Sequence, residues 1–121
     1  MNTTQFIKKK EGVIINKCHG GVGPFLWYDL IESADKMFIK GIHDDIIPAG
    51  STFGYHQHCE EDFEEWYYCV SGNGIMQLDG EEYPFTPGDI CVCRTNGKHG
   101  LINNSNEEMR VIVIIAWSMD K

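Results

Sequence analysis

Two histidines separated by one residue, His56 and His58, are the side chains of this sequence best suited to chemistry. They lie in residues 50–72, which read GSTFGYHQHCEEDFEEWYYCVSG. Side chains alternate between the two faces of a β-strand, so both imidazoles point to one side if this segment is extended. A carboxylate from the following acidic run would add an oxygen ligand and give a mixed nitrogen and oxygen metal site. A third histidine, His99, joins them only if the fold returns it to this segment.

Composition and length restrict what the chain can do. The sequence has 121 residues, the size of one domain, and a formal net charge of -8. That charge argues against nucleic acid and anionic membranes as partners. No apolar run reaches the roughly 18 residues of a membrane helix, and the N-terminus lacks the apolar run of a secretory signal. The five cysteines have no CxxC spacing and are expected to remain thiols. We therefore expect a cytoplasmic protein.

Short apolar segments between turn signals predict an all-β chain, either a sandwich or a barrel. Asp79-Gly80 predicts a hairpin, Asp44-Asp45 is predicted to start a turn, and residues 1–12 are predicted to be a polar arm. Besides the histidine segment, strands are predicted at residues 13–15, 25–31, 37–42, 75–78, 81–85, 90–93, 101–103 and 111–117. The strand at 90–93 is expected to be buried because both of its faces are apolar.

The histidine segment resembles the first motif of the small single-domain cupins. Gly50 is followed, after five residues, by His56-Gln57-His58, and Glu65 is followed, after six residues, by Gly72. The six-residue gap between His58 and Glu65 is longer than the family usually has, because of the acidic insert at residues 59–64.

A second stretch resembles the second cupin motif. Gly88, His99 and Asn103 occupy the family's glycine, histidine and asparagine positions, whereas Arg94 and Asn96 stand where the family has proline and glycine. The resemblance covers roughly residues 46–117 of one domain, residues 1–121, and is nearest to stand-alone cupins described as oxalate-decarboxylase-like.

This resemblance implies a double-stranded β-helix, the cupin jelly-roll barrel of two antiparallel sheets, and pairing as a homodimer through outer sheet faces. It also implies one divalent transition metal ion held by His56, His58, Glu65 and His99. Such a ligand set leaves open positions on a six-coordinate ion and suits Mn, Fe, Ni, Co or Zn without selecting among them.

Several alternatives remain open at the level of sequence. Glu64 or Asp62 can replace Glu65 as the carboxylate ligand because the insert lengthens the gap. The rest of the acidic run is either a solvated loop or a lid over the pocket. His19, in a glycine-rich loop, is interpreted as a surface residue rather than a ligand. Arg94 is interpreted as a surface residue, with a grip on a substrate carboxylate as the alternative.

Strand alternation also predicts which side chains line the pocket beside the metal. These residues are Tyr67, Cys69, Met76, Leu78, Leu101 and Asn103. Most are apolar, and no second basic residue accompanies Arg94, so a multiply charged phosphate substrate is not indicated.

The predicted function is that of a metal-dependent enzyme acting on a small organic acid or related metabolite, by an oxidative, decarboxylating or isomerising reaction. The alternatives are a non-catalytic cupin that binds or senses a small ligand, and a barrel whose metal only stabilises the fold.

Overall fold

The computed structural model describes residues 2–118, and β-strands make up most of them. A short 3-10 turn at Cys18–Gly20 lies in the loop between the first two strands, and we call residues 17–23 the first loop. The strands are β1 (Val13–Asn16), β2 (Pro24–Asp29), β3 (Ile39–Ile47), β4 (Thr52–Gln57), β5 (Phe63–Ser71), β6 (Gly74–Leu78), β7 (Glu81–Phe85), β8 (Ile90–Arg94), β9 (Lys98–Ile102) and β10 (Met109–Trp117).

The strands form two sheets that pack face to face. One sheet has six strands in the order β1-β2-β3-β10-β5-β8, and the other has four in the order β4-β9-β6-β7. Every pairing in these sheets is antiparallel. The predicted all-β jelly roll is therefore confirmed, with one correction: the two sheets do not join into a closed barrel.

The interior of the sandwich divides into an apolar half and a polar half. On the four-stranded sheet, Phe53, Leu101 and Met76 occupy one row across β4, β9 and β6, and they pack in the apolar core with Ile47 and Val111. The next row along these strands contains the histidines described below. The fold thus carries its stabilising core at one end and leaves the other end for polar chemistry.

Strand β3 runs straight through Asp44 and Asp45, so the predicted turn at these residues is wrong. Both side chains are 1% exposed. Asp44 accepts two hydrogen bonds from Arg110, at 3.0 and 2.8 Å, and one from Lys9 at 3.0 Å. Asp45 pairs with His43, two residues before it, at 2.9 Å. These partners compensate the burial of Asp44 and of one carboxylate oxygen of Asp45, and consecutive aspartates alone do not reveal them.

Strand β8 lies at the edge of the six-stranded sheet, beside β5 only. The prediction that this strand is buried is therefore wrong for part of it. Ile90 is 58% exposed, whereas Cys93 is buried and faces the interior. No helix among residues 2–118 has the length and apolar character needed to cross a bilayer.

Candidate metal centre

Three histidines meet at the polar end of the sandwich. His56 on β4 is directly opposite His99 on β9 in the strand register. His58 follows the last residue of β4, and its backbone is fixed by hydrogen bonds to Gly97 and Asn96 at 3.1 and 2.7 Å. The three side chains offer ligand nitrogens that all lie within 4.8 Å of one another. The structure therefore brings together all three histidines that the sequence analysis selected.

The carboxylate of Glu65 comes from the opposite sheet, on β5, and meets the same cluster. Its Oε1 atom lies 3.2 Å from Nε2 of His58 and 3.1 Å from Nε2 of His99. Nε2 of His58 lies 3.1 Å from Nε2 of His56 and 2.8 Å from Nε2 of His99. The Glu65 carboxylate thus reaches two of the three histidines from the opposite sheet.

These separations are short enough for ligand atoms that share one metal ion. Ligands bound at about 2.1 Å are about 3.0 Å apart at right angles and about 3.4 Å apart in a tetrahedron. The four shortest separations in the cluster run from 2.8 to 3.2 Å. The donor set of three imidazoles and one carboxylate fits a divalent transition metal in its chemistry.

Hydrogen bonds behind the imidazoles prepare two of them to bind a metal. Nδ1 of His56 lies 2.7 Å from the carbonyl oxygen of Gly54, so it carries the proton and leaves Nε2 with a free lone pair. Nδ1 of His58 lies 3.1 Å from the carboxylate of Glu60. A carboxylate that holds a histidine from behind fixes the ring and raises its basicity as a ligand. Part of the acidic insert therefore supports the site.

The alternative carboxylate ligands lie away from the cluster. Glu64 faces the outer side of the sheet and accepts a hydrogen bond from Nε of Arg94 at 3.2 Å. Asp62 is exposed and lines a surface groove with Phe63 and Trp117. Glu65, by contrast, is 7% exposed and is directed inward by strand alternation. Arg94 is a surface residue, as predicted, with a side chain that is 61% exposed.

Burial and charge set the proton affinities in the cluster. Burial alone raises the pKa of Glu65, but the hydrogen bond from His99 and the nearby charges of His99 and His58 outweigh it and hold the pKa below its ordinary value. Burial lowers the pKa of His56, with only partial opposition from its bond to the Gly54 carbonyl. Both shifts favour the deprotonated forms that bind metal ions.

His19 lies closer to the cluster than the sequence analysis predicted. Its exposed ring stacks on His56, with centroids 3.6 Å apart and planes 16° apart. In the same loop, the Val22 carbonyl accepts from the Thr52 N–H and the Val22 N–H donates to the Thr52 hydroxyl oxygen, each at 2.8 Å. A Cβ atom at Gly54 would overlap the carbonyl of His19, so a glycine on β4 is needed for this close approach. His19 is a surface residue, as expected, but it is part of the wall of the site.

Of the predicted pocket residues, some lie beside His99 and others lie in a neighbouring cavity or in the apolar core. The ring of Tyr67 packs edge-on to His99 at 5.2 Å, and Leu78 lies opposite His99 in the strand register. Leu78 and Met76 also line a cavity of about 330 Å³ between the open edges of β7 and β8. Leu101 belongs to the apolar core.

Cys69 and Asn103 differ from their predicted role beside the metal. The thiol of Cys69 lies 3.7 and 3.6 Å from the carbonyls of Ser71 and Gly72, at the far end of β5. The buried amide of Asn103 donates to three backbone carbonyls and accepts from Ser105, so it organises the surrounding loops rather than His99. The spacing of Asn103 after His99 predicted that the two side chains lie close together. The length of strand β9 decides instead where Asn103 lies.

Three side chains near the site were not selected from the sequence as site residues: Glu60, His43 and Asp45. Glu60 was one of several adjacent acids with no distinguishing pattern. His43 and Asp45 have the spacing of one strand face, as His56 and His58 do, but the predicted turn concealed it. Recognising a polar residue at every second position would have detected this pair.

A family model described as the cupin domain matches residues 44–115 of the chain. The chain belongs to the cupin family. The matched range contains Glu65 and the three clustered histidines, and it covers every strand from the end of β3 to most of β10.

Among curated proteins, this cupin is similar to an oxalate-binding protein from Thermotoga maritima. The two are 32% identical over 69 residues, which cover 57% of this chain and 55% of that protein. It is also similar to an uncharacterised protein from Methanocaldococcus jannaschii, with 29% identity over 73 residues covering 60% of this chain and 57% of the other. This cupin thus spans little more than half the length of the curated relatives it matches.

A solved structure extends the similarity over most of the fold. The crystal structure of a predicted oxalate decarboxylase from Thermotoga maritima gives a TM-score of 0.85. The match covers 93% of this cupin and 99% of that chain, at 22% sequence identity. A match at this identity supports the jelly-roll fold and carries no statement about activity.

Proposed function

We propose that this cupin binds a small organic acid at a divalent transition metal held by His56, His58, Glu65 and His99. The observation that carries the proposal is the cluster of three histidine nitrogens within 4.8 Å of one another, with the Glu65 carboxylate 3.1–3.2 Å from two of them. This donor set suits Mn, Fe, Ni, Co or Zn. The similarity to an oxalate-binding protein supports a carboxylate as the ligand class.

We further propose that the site is catalytic, in an oxidative, decarboxylating or isomerising reaction. A bound divalent ion would polarise a ligand oxygen and stabilise negative charge that develops on it. Glu65 offsets part of the charge of such an ion, and the Gly54 carbonyl keeps His56 in the tautomer that binds metal. The Tyr67 hydroxyl lies 3.4 Å from Oε1 of Glu65. Burial raises the pKa of Tyr67 well above its ordinary value, so this hydroxyl keeps its proton and can donate to Glu65 or to a ligand.

A non-catalytic ligand-binding cupin is the second candidate. The Thermotoga relative is named as an oxalate-binding protein, which favours this alternative. The two candidates make different predictions for the same ligand: the enzyme consumes it, whereas the binding protein returns it unchanged.

The test is metal analysis of protein purified without chelator or nickel affinity, alongside a His56→Ala/His58→Ala double variant. The proposal predicts about one equivalent of a single transition metal in the wild type and a loss in the variant. Oxalate is then added to the metal-loaded protein, and its binding and recovery are measured. Metal in neither protein, even after reconstitution, contradicts the metal site. Binding with full recovery of oxalate and of related acids favours the binding protein over the enzyme.

We also propose that a second copy of the chain covers the outer face of the six-stranded sheet. Tyr68 on β5 is 41% exposed and lies between Ile112 on β10 and Ile90 on β8, so an apolar surface continues across three strands. Sedimentation velocity tests this: a dimer in the wild type and a monomer after Tyr68→Lys support it, and a monomeric wild type contradicts it.

Five free cysteines are consistent with the reducing cytoplasm that the sequence analysis predicted.

A further inference from the structure

The first loop holds His19 in a backbone conformation that few residues other than glycine adopt. The φ angle is 52° at His19 and also at Lys17, two residues earlier, which places both residues in the left-handed region. An L-residue with a Cβ atom occupies that region at a cost in free energy, and such residues cluster at binding sites. The conformation of His19 therefore points to a role for its side chain.

Close backbone packing on β4 fixes the position of His19. A Cβ atom at Gly54 would overlap the carbonyl of His19, and a Cβ atom at Gly21 would overlap backbone atoms of β4. The loop is also closed on itself, because the backbone N–H of Lys17 donates to the carbonyl of Gly23 at 3.0 Å. The ring of His19 is therefore positioned by backbone contacts on both sides of the residue.

The ring of His19 borders the metal cluster on the side of the solvent. It stacks on His56 with centroids 3.6 Å apart, and it lies at a steep angle of 75° to the ring of His58, 6.5 Å away. His99 and Glu65 meet the cluster from the interior, with exposed fractions of 1% and 7%, whereas His19 is exposed. A ligand that enters the cluster from solvent therefore passes beside the His19 ring.

The hydrogen-bonding groups of the His19 ring are not used within the protein. Nδ1 of His56 bonds to the Gly54 carbonyl, and Nδ1 of His58 bonds to the Glu60 carboxylate. Within residues 2–118, in contrast, the ring of His19 contacts other rings and its nitrogens make no hydrogen bond. An imidazole carries at least one N–H donor in either protonation state. His19 therefore has a donor available for a ligand at the edge of the cluster.

We propose that the His19 ring donates a hydrogen bond to a carboxylate oxygen of the ligand that binds at the metal site. This inference rests on the proposed function and deepens it, because it selects acids that bind the ion and still present a free carboxylate oxygen. Stacking on His56 would only hold that ring in place, whereas the hydrogen bond makes His19 a residue that recognises the ligand.

The test measures oxalate binding by titration calorimetry to protein saturated with Mn²⁺. His19→Phe keeps an aromatic ring against His56 but removes both ring nitrogens. Its affinity for Mn²⁺ is expected to stay close to that of the wild type. Its affinity for oxalate is expected to fall about tenfold, because a hydrogen bond to a charged acceptor is lost. His19→Gln, which retains an N–H donor, is expected to recover part of that loss.

The control is Lys17→Phe, which introduces the same ring at the other left-handed position of the first loop. This variant is expected to bind Mn²⁺ and oxalate as the wild type does, because the side chain of Lys17 is exposed and has no contact with the cluster. Thermal unfolding and Mn²⁺ content of each variant check that the fold and the ion are retained.

An oxalate affinity in His19→Phe equal to that of the wild type overturns the inference, and the metal site then stands. If His19→Phe also loses affinity for Mn²⁺, His19→Gln and His19→Ala decide. Tighter oxalate binding by His19→Gln supports the hydrogen bond, and equal binding by the two variants contradicts it. A wild type that holds Mn²⁺ but binds no oxalate contradicts both this inference and the proposed ligand class. Failure of the metal site has a separate signature, since the reconstituted wild type then contains no Mn²⁺.

Discussion

The packing of the first loop against β4 leads to a quantitative prediction for Gly54→Ala. A Cβ atom at residue 54 would overlap the carbonyl oxygen of His19 and lie 3.0 Å from the backbone nitrogen of Gly21. Both neighbours are backbone atoms of a loop that is closed by the hydrogen bond from Lys17 to Gly23, so neither can yield by a side-chain rotation. The loop must therefore move away from β4.

The expected effect follows from two opposing contributions. Overpacking of this kind costs about 1–3 kcal/mol, and it outweighs the roughly 0.4–1 kcal/mol that alanine contributes by restricting the unfolded chain. We expect a net loss of about 1–2 kcal/mol in the free energy of unfolding, measured by urea denaturation, and a fall in Tm of about 3–10 °C. The stack between His19 and His56 would open, so the affinity for Mn²⁺ should also fall.

Gly41→Ala is the matched control. Gly41 is also a strand glycine, but the atoms nearest to an added Cβ are the side-chain carbons of Ile115 at 3.5 Å and beyond, an ordinary contact distance. This variant should be neutral or slightly more stable than the wild type. If Gly54→Ala proves as stable as Gly41→Ala and binds Mn²⁺ equally well, the first loop does not pack on β4 as described.

Three further predictions concern charge and metal. Glu65→Gln should weaken Mn²⁺ binding by about tenfold or more, whereas Glu64→Gln, one residue earlier but facing outward, should leave it unchanged; fluorescence titration with Mn²⁺ distinguishes them. Adding Mn²⁺ to about 100 times its Kd should raise the free energy of unfolding by about 2.7 kcal/mol, and a chelator should reverse the gain in a thermal melt. Burial raises the pKa of Asp44, but bonds from Arg110 and Lys9 outweigh it and hold the pKa below 3.8. The stability that this lowered pKa contributes is present above pH 3.8, and it is lost as the pH falls through the pKa of Asp44 in the folded state. Arg110→Met should therefore lower the free energy of unfolding by about 1–2 kcal/mol at neutral pH, a moderate loss because Arg110 is partly exposed. In urea denaturation below pH 4, the free energy of unfolding of this variant should depend less on pH than that of the wild type.

The amino-acid sequence alone was sufficient to predict the features that depend on local spacing. Asp79-Gly80 was predicted as a hairpin turn and forms one, with φ of 47° and 84° at the two residues. The spacing of His56 and His58 placed them on one side, and the second motif identified His99 as their partner. Each of these features requires only a few neighbouring residues, or a motif whose spacing is preserved by the strands themselves.

Features that depend on distant contacts were not predictable in this way. Asp44 is stable inside a strand because Arg110 lies beside it, 66 residues later in the chain. His19 reaches His56 because glycine at residue 54 lets the first loop approach, and no pattern within the loop indicates this. Ile90 is exposed because β8 ends up at a sheet edge, which depends on strand order rather than on the residues of β8.

The origin of the ligand atoms from both sheets has a kinetic consequence. His56 and His99 belong to the four-stranded sheet and Glu65 to the six-stranded sheet, so a bound ion would cross-link the two layers. Release of the ion would then require the layers to separate at this end. The rate of metal exchange should consequently follow the opening motion of the sandwich, and amide protons of β5 and β9 should exchange more slowly with solvent once metal is bound.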